Sequence, residues 1–431
     1  MASTVLSRTQ ANGTSSRIFT ASIWFKRSPV TNVGNQPIWS SSSSTGDALD
    51  LILQGNGEIV FEDVNGNAPK FVTSRKLRDP SAFYNVVVAV DSTQATDTNR
   101  VKIYLNGVQE TSFSTATYPT QNMDFAISTS ADTMKFGSGG QYNTNYFDGL
   151  MSYVAFVDGT AYDASYFGET NAATGIWKIK TSPSVTYGTN GFFLKMDTSS
   201  PGSDTSGNNN TFTASGTPTL AEDNASNNLA TLNPLNAYYT NSTFSNGNTT
   251  FASGSSYSGT TANILLSTGK WYWEGKPISK DGDGDNYVFG IQGQEATGTN
   301  QFVGSQAFGW MYYGASGQLY NNNSGASYGD TFTAGDIIGV ALDCTNNKLY
   351  FSKNGTFILS GNPSTGANGI SITAPASVSL GGYYPSQTFW TGNSGTFSMN
   401  FGNGFFGVTA VASSNADAAG HGLFEYAVPT G

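Results

Sequence analysis

Residues 335–355 read GDIIGVALDCTNNKLYFSKNG, and this stretch decides the fold of the second half of the chain. It contains two runs rich in β-branched and aromatic residues, 337–343 and 348–353. Asn354-Gly355 follows the second run, and a type I′ hairpin turn favours this dipeptide because both central residues need positive φ. The stretch therefore predicts successive antiparallel strands.

Alternation with a period of two residues continues from this stretch to both ends of the chain. Asn106-Gly107 supplies a second hairpin turn, and residues 162–168 predict one short helical turn. The pattern predicts strands at residues 19–26, 50–54, 59–63, 83–91, 101–106, 153–157, 270–274, 286–291, 307–313, 337–343, 348–353 and 396–401.

Composition changes between the two halves. Residues 197–239 are dominated by Ser, Gly, Asn, Thr and Pro, which is typical of a connection between domains. The predicted fold is all-β, with two β-sandwich (jelly-roll) domains in series at residues 1–196 and 240–431. The connection is too long for a bare linker, so we expect its apolar residues to pack on a neighbour.

Charge and cysteine content exclude several classes of protein. Lys and Arg number 19 against 29 Asp and Glu, a net charge of −10, so the chain has too few cations to neutralise a nucleic-acid backbone. Cys344 and His421 are each single, which excludes intrachain disulfides, Cys/His zinc sites and Ser-His triads. The polar start predicts no secretory signal, and no apolar run predicts membrane insertion.

Two family resemblances follow from ordered sequence blocks. FTASIWFK (19–26), FYNVVVAVD (83–91), VKIYLNG (101–107) and FDGLMSYVAFVDG (147–159) resemble the laminin-G-like, concanavalin A-like jelly roll. GKWYWE (269–274), NYVFGI (286–291), FGWMYY (308–313) and the stretch at 335–355 resemble the SPRY domain.

The two domains are joined through TLNPL (231–235), and FGE and GIWK occur between residues 167 and 178. This combination is similar to virion appendage proteins of tailed bacteriophages, particularly marine and cyanophage-like ones. The resemblance implies a non-enzymatic virion-surface protein, such as a tail fibre, that recognises a host glycan or receptor. Its implied partners are other virion proteins and further copies of itself in a homo-oligomer such as a trimer. Release would then follow lysis of the host in whose cytoplasm the protein is made.

Two other functions remain open. One is a capsid decoration or head fibre with a structural role, and the other is a glycan depolymerase. Glycosidases need two carboxylates across the scissile bond, and residues 58–63 (EIVFED) offer Glu58 and Glu62 with Asp63 facing away. We predict no catalytic residues and interpret this segment as a soluble edge strand. A basic cluster, Lys70, Arg75, Lys76 and Arg78, is interpreted as a solvated hairpin face.

Aromatic residues near strand ends and in loops are the predicted ligand-binding residues. Sugars stack on aromatic rings, and in SPRY domains loops at one end of the sandwich form the partner site. Trp24, Trp271, Trp273 and Trp310 lie inside predicted strands and are interpreted as packing residues. The candidates for binding are Tyr312, Tyr313, Tyr320, Tyr383, Tyr384, Phe389 and Trp390.

A calcium loop is the one metal site that the sequence suggests. Asp281, Asp283 and Asp285 alternate as in the opening of such a loop. The twelfth position is Gln292, where the loop needs a bidentate acid. Bound Ca²⁺ and a solvated turn between strands both remain open, and no other cofactor is predicted.

Overall fold

The computed structural model describes residues 4–28, 34–44, 47–64, 69–130, 132–140, 145–196, 200–237, 242–253, 258–280, 286–295, 302–390 and 395–430. The chain divides into two compact units. The first comprises Met1–Leu220 and Asn224–Asn228, and the second comprises Ala221–Asp223 and Leu229–Gly431. The described part of the chain contains no helix with the length and apolar character that a membrane span requires.

The described residues of the first unit form sixteen strands and two short 3-10 helices, Asp97–Asn99 and Ala164–Tyr166. The second of these helices lies within the predicted helical turn. The strands are β1 (Val5–Thr9), β2 (Ile18–Arg27), β3 (Gln36–Ser44), β4 (Asp47–Leu53), β5 (Ile59–Asp63), β6 (Lys70–Thr73), β7 (Tyr84–Asp91), β8 (Val101–Leu105), β9 (Val108–Gln109), β10 (Phe113–Thr117), β11 (Thr133–Phe136), β12 (Gly149–Asp158), β13 (Gly168–Thr170), β14 (Trp177–Ile179), β15 (Phe192–Leu194) and β16 (Thr213–Ser215).

Two antiparallel sheets enclose the core of the first unit. The eight-stranded sheet has the order β10-β6-β5-β4-β3-β11-β1-β16, and the six-stranded sheet has the order β15-β12-β2-β7-β8-β9. Alternate side chains of each strand point inward, so Leu49 and Leu51 of β4 meet Phe19 and Ile23 of β2 in one apolar cluster.

A third element, the β13–β14 hairpin, packs on the outer face of the six-stranded sheet through Trp177. The indole N–H donates to Asn85 Oδ1 at 3.1 Å. The ring leaves no room for a side chain at Gly107 or Gly168, where a Cβ atom would lie 2.5 Å from it. This contact gives the FGE and GIWK blocks a structural role.

In the part of the second unit that the structure describes there are two 3-10 helices, Ile358–Ser360 and Pro375–Ser377. Its strands are β17 (Leu232–Ala237), β18 (Ser242–Ser245), β19 (Thr250–Ser253), β20 (Gly259–Ala262), β21 (Lys270–Lys280), β22 (Tyr287–Gln292), β23 (Gly309–Tyr313), β24 (Gln318–Asn321), β25 (Ser324–Ser327), β26 (Ile338–Asp343), β27 (Lys348–Lys353), β28 (Thr356–Phe357), β29 (Ile370–Ser371), β30 (Tyr384–Phe389), β31 (Gly395–Asn400), β32 (Phe405–Phe406) and β33 (Thr409–Ala410).

These strands again form two facing antiparallel sheets. The seven-stranded sheet has the order β17-β20-β30-β22-β23-β24-β25, and the eight-stranded sheet runs β18-β19-β31-β21-β26-β27-β28 with β29 paired to β27. Phe289 and Tyr312 of the first sheet pack with Val340 and Phe397 of the second. The predicted all-β fold with two sandwich domains in series is confirmed.

The segment predicted as a connection, residues 197–239, contributes to both units. β16 pairs with β1, and Phe212 lies in the first core. β17 pairs with β20, and Leu232 lies in the second core. The division at Leu220 therefore falls inside this segment, because strand pairing recruits both of its ends.

The carboxylate of Glu274 fixes the C-terminal segment of the second unit. Its two oxygens accept hydrogen bonds from the Tyr272 hydroxyl at 3.1 Å, from Asn400 Nδ2 at 3.1 Å, and from the backbone N–H groups of Glu425 and Tyr426 at 3.0 and 2.9 Å. Burial raises the pKa of Glu274, and the donated hydrogen bonds lower it only in part.

Glu274→Gln should destabilise the second unit by roughly 2–3 kcal/mol, because an amide nitrogen would face two donors that lose their acceptor. Burial places the pKa of Glu274 above its ordinary value of 4.5, so the folded chain binds this proton more tightly than the unfolded chain. Wild-type stability should then fall as pH rises from about 4.5 through the raised pKa. Urea denaturation across this pH range measures both effects.

Glu169→Gln is the matched control, since Glu169 is an exposed carboxylate paired with Lys178. It should leave the midpoint nearly unchanged. Equal midpoints for the Glu274 variant and the wild type at pH 7 would contradict the role given to this carboxylate.

Candidate ligand-binding face

Three aromatic side chains meet on the outer face of the seven-stranded sheet: Tyr313 of β23, Tyr320 of β24 and Trp390 directly after β30. The ring centroids of Tyr313 and Trp390 lie 4.8 Å apart, and those of Tyr320 and Trp390 lie 4.9 Å apart. All three side chains are partly exposed. We call this trio the aromatic face.

Trp390 is the centre of the aromatic face. Phe302 stacks on it with centroids 3.9 Å apart at 28°, and Tyr313 stacks on it at 23°. Tyr320 meets the indole at 64°, with centroids 4.9 Å apart. Trp390 therefore contacts three other rings, and only part of its surface is exposed.

Hydrogen bonds fix the orientation of the aromatic face. The Tyr313 hydroxyl donates to Asn286 Oδ1 at 2.6 Å, and the Trp390 backbone N–H donates to Asn286 O at 2.9 Å. The Tyr320 hydroxyl donates to Gln318 Oε1 at 3.0 Å. Burial, and then the neighbouring Tyr320, raise the pKa of Tyr313, so its hydroxyl remains a neutral donor at physiological pH.

A buried apolar layer supports these rings, formed by Val288 of β22, Met311 of β23, Phe302 and Val303. Gly325 on β25 lies directly opposite Tyr320, and a Cβ atom there would approach Tyr320 Cζ to 2.6 Å. The sequence analysis missed Phe302 and Asn286. Only the ring contacts and strand register identify them, because both border polar loop sequence.

Tyr312, Tyr383 and Phe389 were predicted on an exposed rim, but the structure places them in the core of the second unit. The Tyr312 ring packs on Phe332, with centroids 4.9 Å apart, and its hydroxyl donates to the Asp330 carbonyl. The Tyr383 hydroxyl donates to Thr373 O at 2.8 Å. Strand alternation explains the correction, because Tyr312 and Tyr313 are consecutive and point to opposite faces.

Tyr384 begins β30 and is half-buried. Tyr384 and the inward-facing Phe389 are an odd number of residues apart on β30, so Tyr384 points to the outer face of the sheet. Among the described residues, no ring contact joins Tyr384 to the aromatic face. The structure therefore brings together three of the seven predicted residues, keeps Tyr384 on the same side and buries the other three.

The seven-stranded sheet that carries the aromatic face contains no Asp, Glu, Lys, Arg or His in any of its strands. The strand residues of the second unit that do carry charge all belong to the facing eight-stranded sheet, among them Lys270, Glu274, Asp343 and Lys348. Contacts made by the aromatic face therefore depend on rings, hydroxyls and amides.

The predicted calcium ligands Asp281, Asp283 and Asp285 lie outside the described residues. Within the part of the chain that the structure describes, no group of three His, Cys, Asp or Glu side chains is placed to hold a metal ion. The two alternatives for this loop stay as the sequence left them.

The EIVFED segment was expected to be a soluble edge strand, but β5 lies between β4 and β6, and all five of its residues are buried. The acidic side chains of this segment pair with the neighbouring basic side chains. Lys70 Nζ lies 2.6 Å from Glu62 Oε2, and Lys76 Nζ lies 3.5 Å from Glu58 Oε1. Arg75 contacts Glu110 at 3.1 Å. These lysine and arginine side chains remain about 37–48% exposed, which agrees with a solvated hairpin face.

The register reveals an acid pair that the sequence analysis did not consider. Asp50 of β4 lies directly opposite Glu62 of β5, and both are buried. Asp50 Oδ1 accepts the backbone N–H of Gly140 at 3.0 Å, and Glu62 is paired with Lys70. Both carboxylates therefore already have protein partners. Such a pair is recognised only from the strand register, because its two residues are separated in sequence.

The geometry defines the second unit as a β-sandwich module with one aromatic outer face, whose strands carry no charged residue. Comparison with known families agrees with both sandwiches. Residues 3–164 match the concanavalin A-like lectin/glucanases superfamily, and residues 270–402 match the SPRY domain. The chain thus carries a concanavalin A-like domain followed by a SPRY domain.

Ran-binding protein 9 of Danio rerio is 37% identical over 95 residues, which make up 21% of this chain and 15% of that protein. Ran-binding protein 9 of Homo sapiens is 36% identical over 95 residues, which make up 21% of this chain and 12% of that protein. The matched region thus spans less than a fifth of these relatives. The crystal structure of the SPRY domain of human HERC1 is 21% identical, with a TM-score of 0.31, and covers 39% of this chain and 96% of that one.

Tyr312→Ala should destabilise the second unit by about 3–5 kcal/mol, as expected for deletion of a buried aromatic ring. The matched variant Tyr313→Ala, one residue away, should cost roughly 1–2 kcal/mol, because it removes one hydrogen bond and one partly exposed stack. Chemical denaturation of both variants measures the difference. A larger loss for Tyr313→Ala would contradict the assignment of the two faces.

Proposed function

We propose that this chain is a non-enzymatic surface protein of a tailed-bacteriophage virion, a tail fibre or similar appendage, that adheres to the host through a glycan or receptor. The observation that carries the proposal is the convergence of Tyr313, Tyr320 and Trp390 on one uncharged sheet face. The bacteriophage context rests on the resemblance between this domain pair and virion appendage proteins.

Each contact made by the aromatic face would be weak. The aromatic face offers polar groups and partly exposed rings, and surfaces of this kind bind firmly only when many copies act together. Many copies on one particle raise the effective concentration, so weak single contacts can sum to firm attachment. A module used in this way needs a rigid scaffold, which the apolar layer under the rings supplies.

A structural role as a capsid or head decoration protein is the second candidate. The observation that favours it is that Phe302 and Tyr313 both stack on Trp390, so part of the indole surface that a sugar would use is already in contact with protein. Ring edges and amides suit contact with a neighbouring virion protein equally well. The position of this chain on the intact particle, seen by electron cryomicroscopy, distinguishes a tail fibre from a head decoration.

Trp390→Ala and Tyr320→Ala should abolish or strongly weaken adhesion of the recombinant chain to host cells and to a glycan array. Trp271→Ala is the matched control, because Trp271 is 45% exposed but lies on the other sheet. It should bind like the wild type. Since the aromatic face carries no charged strand residue, wild-type binding should change little between low and high salt.

Loss of adhesion in the Trp271 variant together with full adhesion in the Trp390 variant would contradict the proposed face. Binding that falls steeply with salt would place recognition on a charged surface elsewhere on the chain. Absence of binding to cells and to the array would favour the decoration role.

The depolymerase alternative has a direct test at the acid pair. The wild-type chain should release no reducing ends from host polysaccharide, and Asp50→Asn and Glu62→Gln should leave this result and cell adhesion unchanged. Release of reducing ends by the wild type that either substitution abolishes would instead establish a glycosidase.

A further inference from the structure

β25 forms one edge of the seven-stranded sheet, and all four of its residues are exposed. It reads Ser324, Gly325, Ala326, Ser327 and pairs with β24 in uninterrupted register. No described strand pairs with its outer edge. An edge of this kind is a template for pairing with another chain unless some feature blocks it.

Two other edge strands carry such blocking features. β17, the opposite edge of the same sheet, contains Pro234 and a register shift between Leu232 and Ala237. β10 in the first unit has a bulge between Phe113 and Thr115. β25 has no proline, no charge and no register shift, so its edge is open.

The backbone groups available on this edge follow from the hairpin. Asn322 and Asn323 have φ of 50° and 58° and form a two-residue turn between β24 and β25. Residues that flank such a turn exchange hydrogen bonds with each other, so Ser324 and then Ala326 direct their backbone groups to β24. The N–H and C=O groups of Gly325 and Ser327 therefore point outward.

We propose that β25 pairs with β25 of a second copy of this chain, antiparallel and around a two-fold axis that passes between the two Ala326 residues. In this register Gly325 of one copy faces Ser327 of the other, so all four outward groups on each strand find partners. Ala326 of one copy faces Ala326 of the other, and these two residues form a pair that is not hydrogen-bonded. The two seven-stranded sheets become one continuous sheet.

Charge determines where two copies of this chain can approach each other. Each chain carries a net charge of −10, so most surfaces of two copies repel each other. No strand of the seven-stranded sheet has a charged residue, and there is none between Ala296 and Gly329. A four-residue contact is small by the standards of stable dimers, so we expect weak association that repetition on a particle would reinforce.

Disulfide cross-linking of Ala326→Cys in the 431-residue chain tests the register. Facing residues of a pair that is not hydrogen-bonded have Cα atoms about 4.5 Å apart, within disulfide range. Cys344 is buried, and burial raises its pKa to about 11, so the introduced thiol is the reactive one. Under mild oxidation Ala326→Cys should form covalent dimers.

Four controls distinguish this pairing from random collision. Ser324→Cys, on the same strand but two residues from the axis, should stay monomeric, as should the wild type. Adding Ser327→Pro removes one outward N–H, and adding Ser327→Lys places charge on the edge. Either addition should abolish cross-linking of the Ala326→Cys chain.

Failure of Ala326→Cys to dimerise at the highest soluble concentration would overturn the proposal. Equal cross-linking of Ser324→Cys would do so as well, since the contact would then have no register. Dimers that persist with both Ser327 substitutions would place the contact outside this edge. Circular dichroism of each variant confirms that it is folded.

Discussion

Close packing of aromatic and aliphatic side chains between facing antiparallel sheets is the constraint on which the rest of this molecule depends. In the second unit, Phe289 of the seven-stranded sheet contacts Phe397 of the eight-stranded sheet, and Phe397 stacks on Phe251 of the neighbouring strand β19. Such packing commits every second residue of a strand to the interior. The side chains left over face outward, and whatever the protein recognises is restricted to them and to the loops.

Buried polar side chains hold irregular segments in place through hydrogen bonds. Glu274 holds the C-terminal segment, and Asn400 accepts the backbone N–H groups of Gly402 and Gly404 through its side-chain oxygen. In the first unit, Asp158 accepts the backbone N–H groups of Thr14, Ser15 and Asn190. Each buried acid thereby converts a loop with no regular pairing of its own into part of the sandwich.

Local sequence predicts the strands well, because alternation and the Asn-Gly turns act over a few residues. β5 is recovered with both ends, and Asn106 and Asn354 have the positive φ that the turns require. The site is predicted only in part. Which of two consecutive tyrosines faces solvent depends on the register of β23 against its neighbours, and the stacking of Phe302 on Trp390 joins segments that are distant in sequence.

The strands of the seven-stranded sheet carry no charge, and this affects how the second unit approaches other molecular surfaces. The charged strand residues lie on the opposite sheet, and most of the described acids of the second unit lie in loops. The net charge of −10 governs the approach to a charged surface, whereas the strands of the aromatic flank contribute only short-range contacts. Selectivity on the aromatic flank therefore begins only after the last water layers between the two surfaces are displaced.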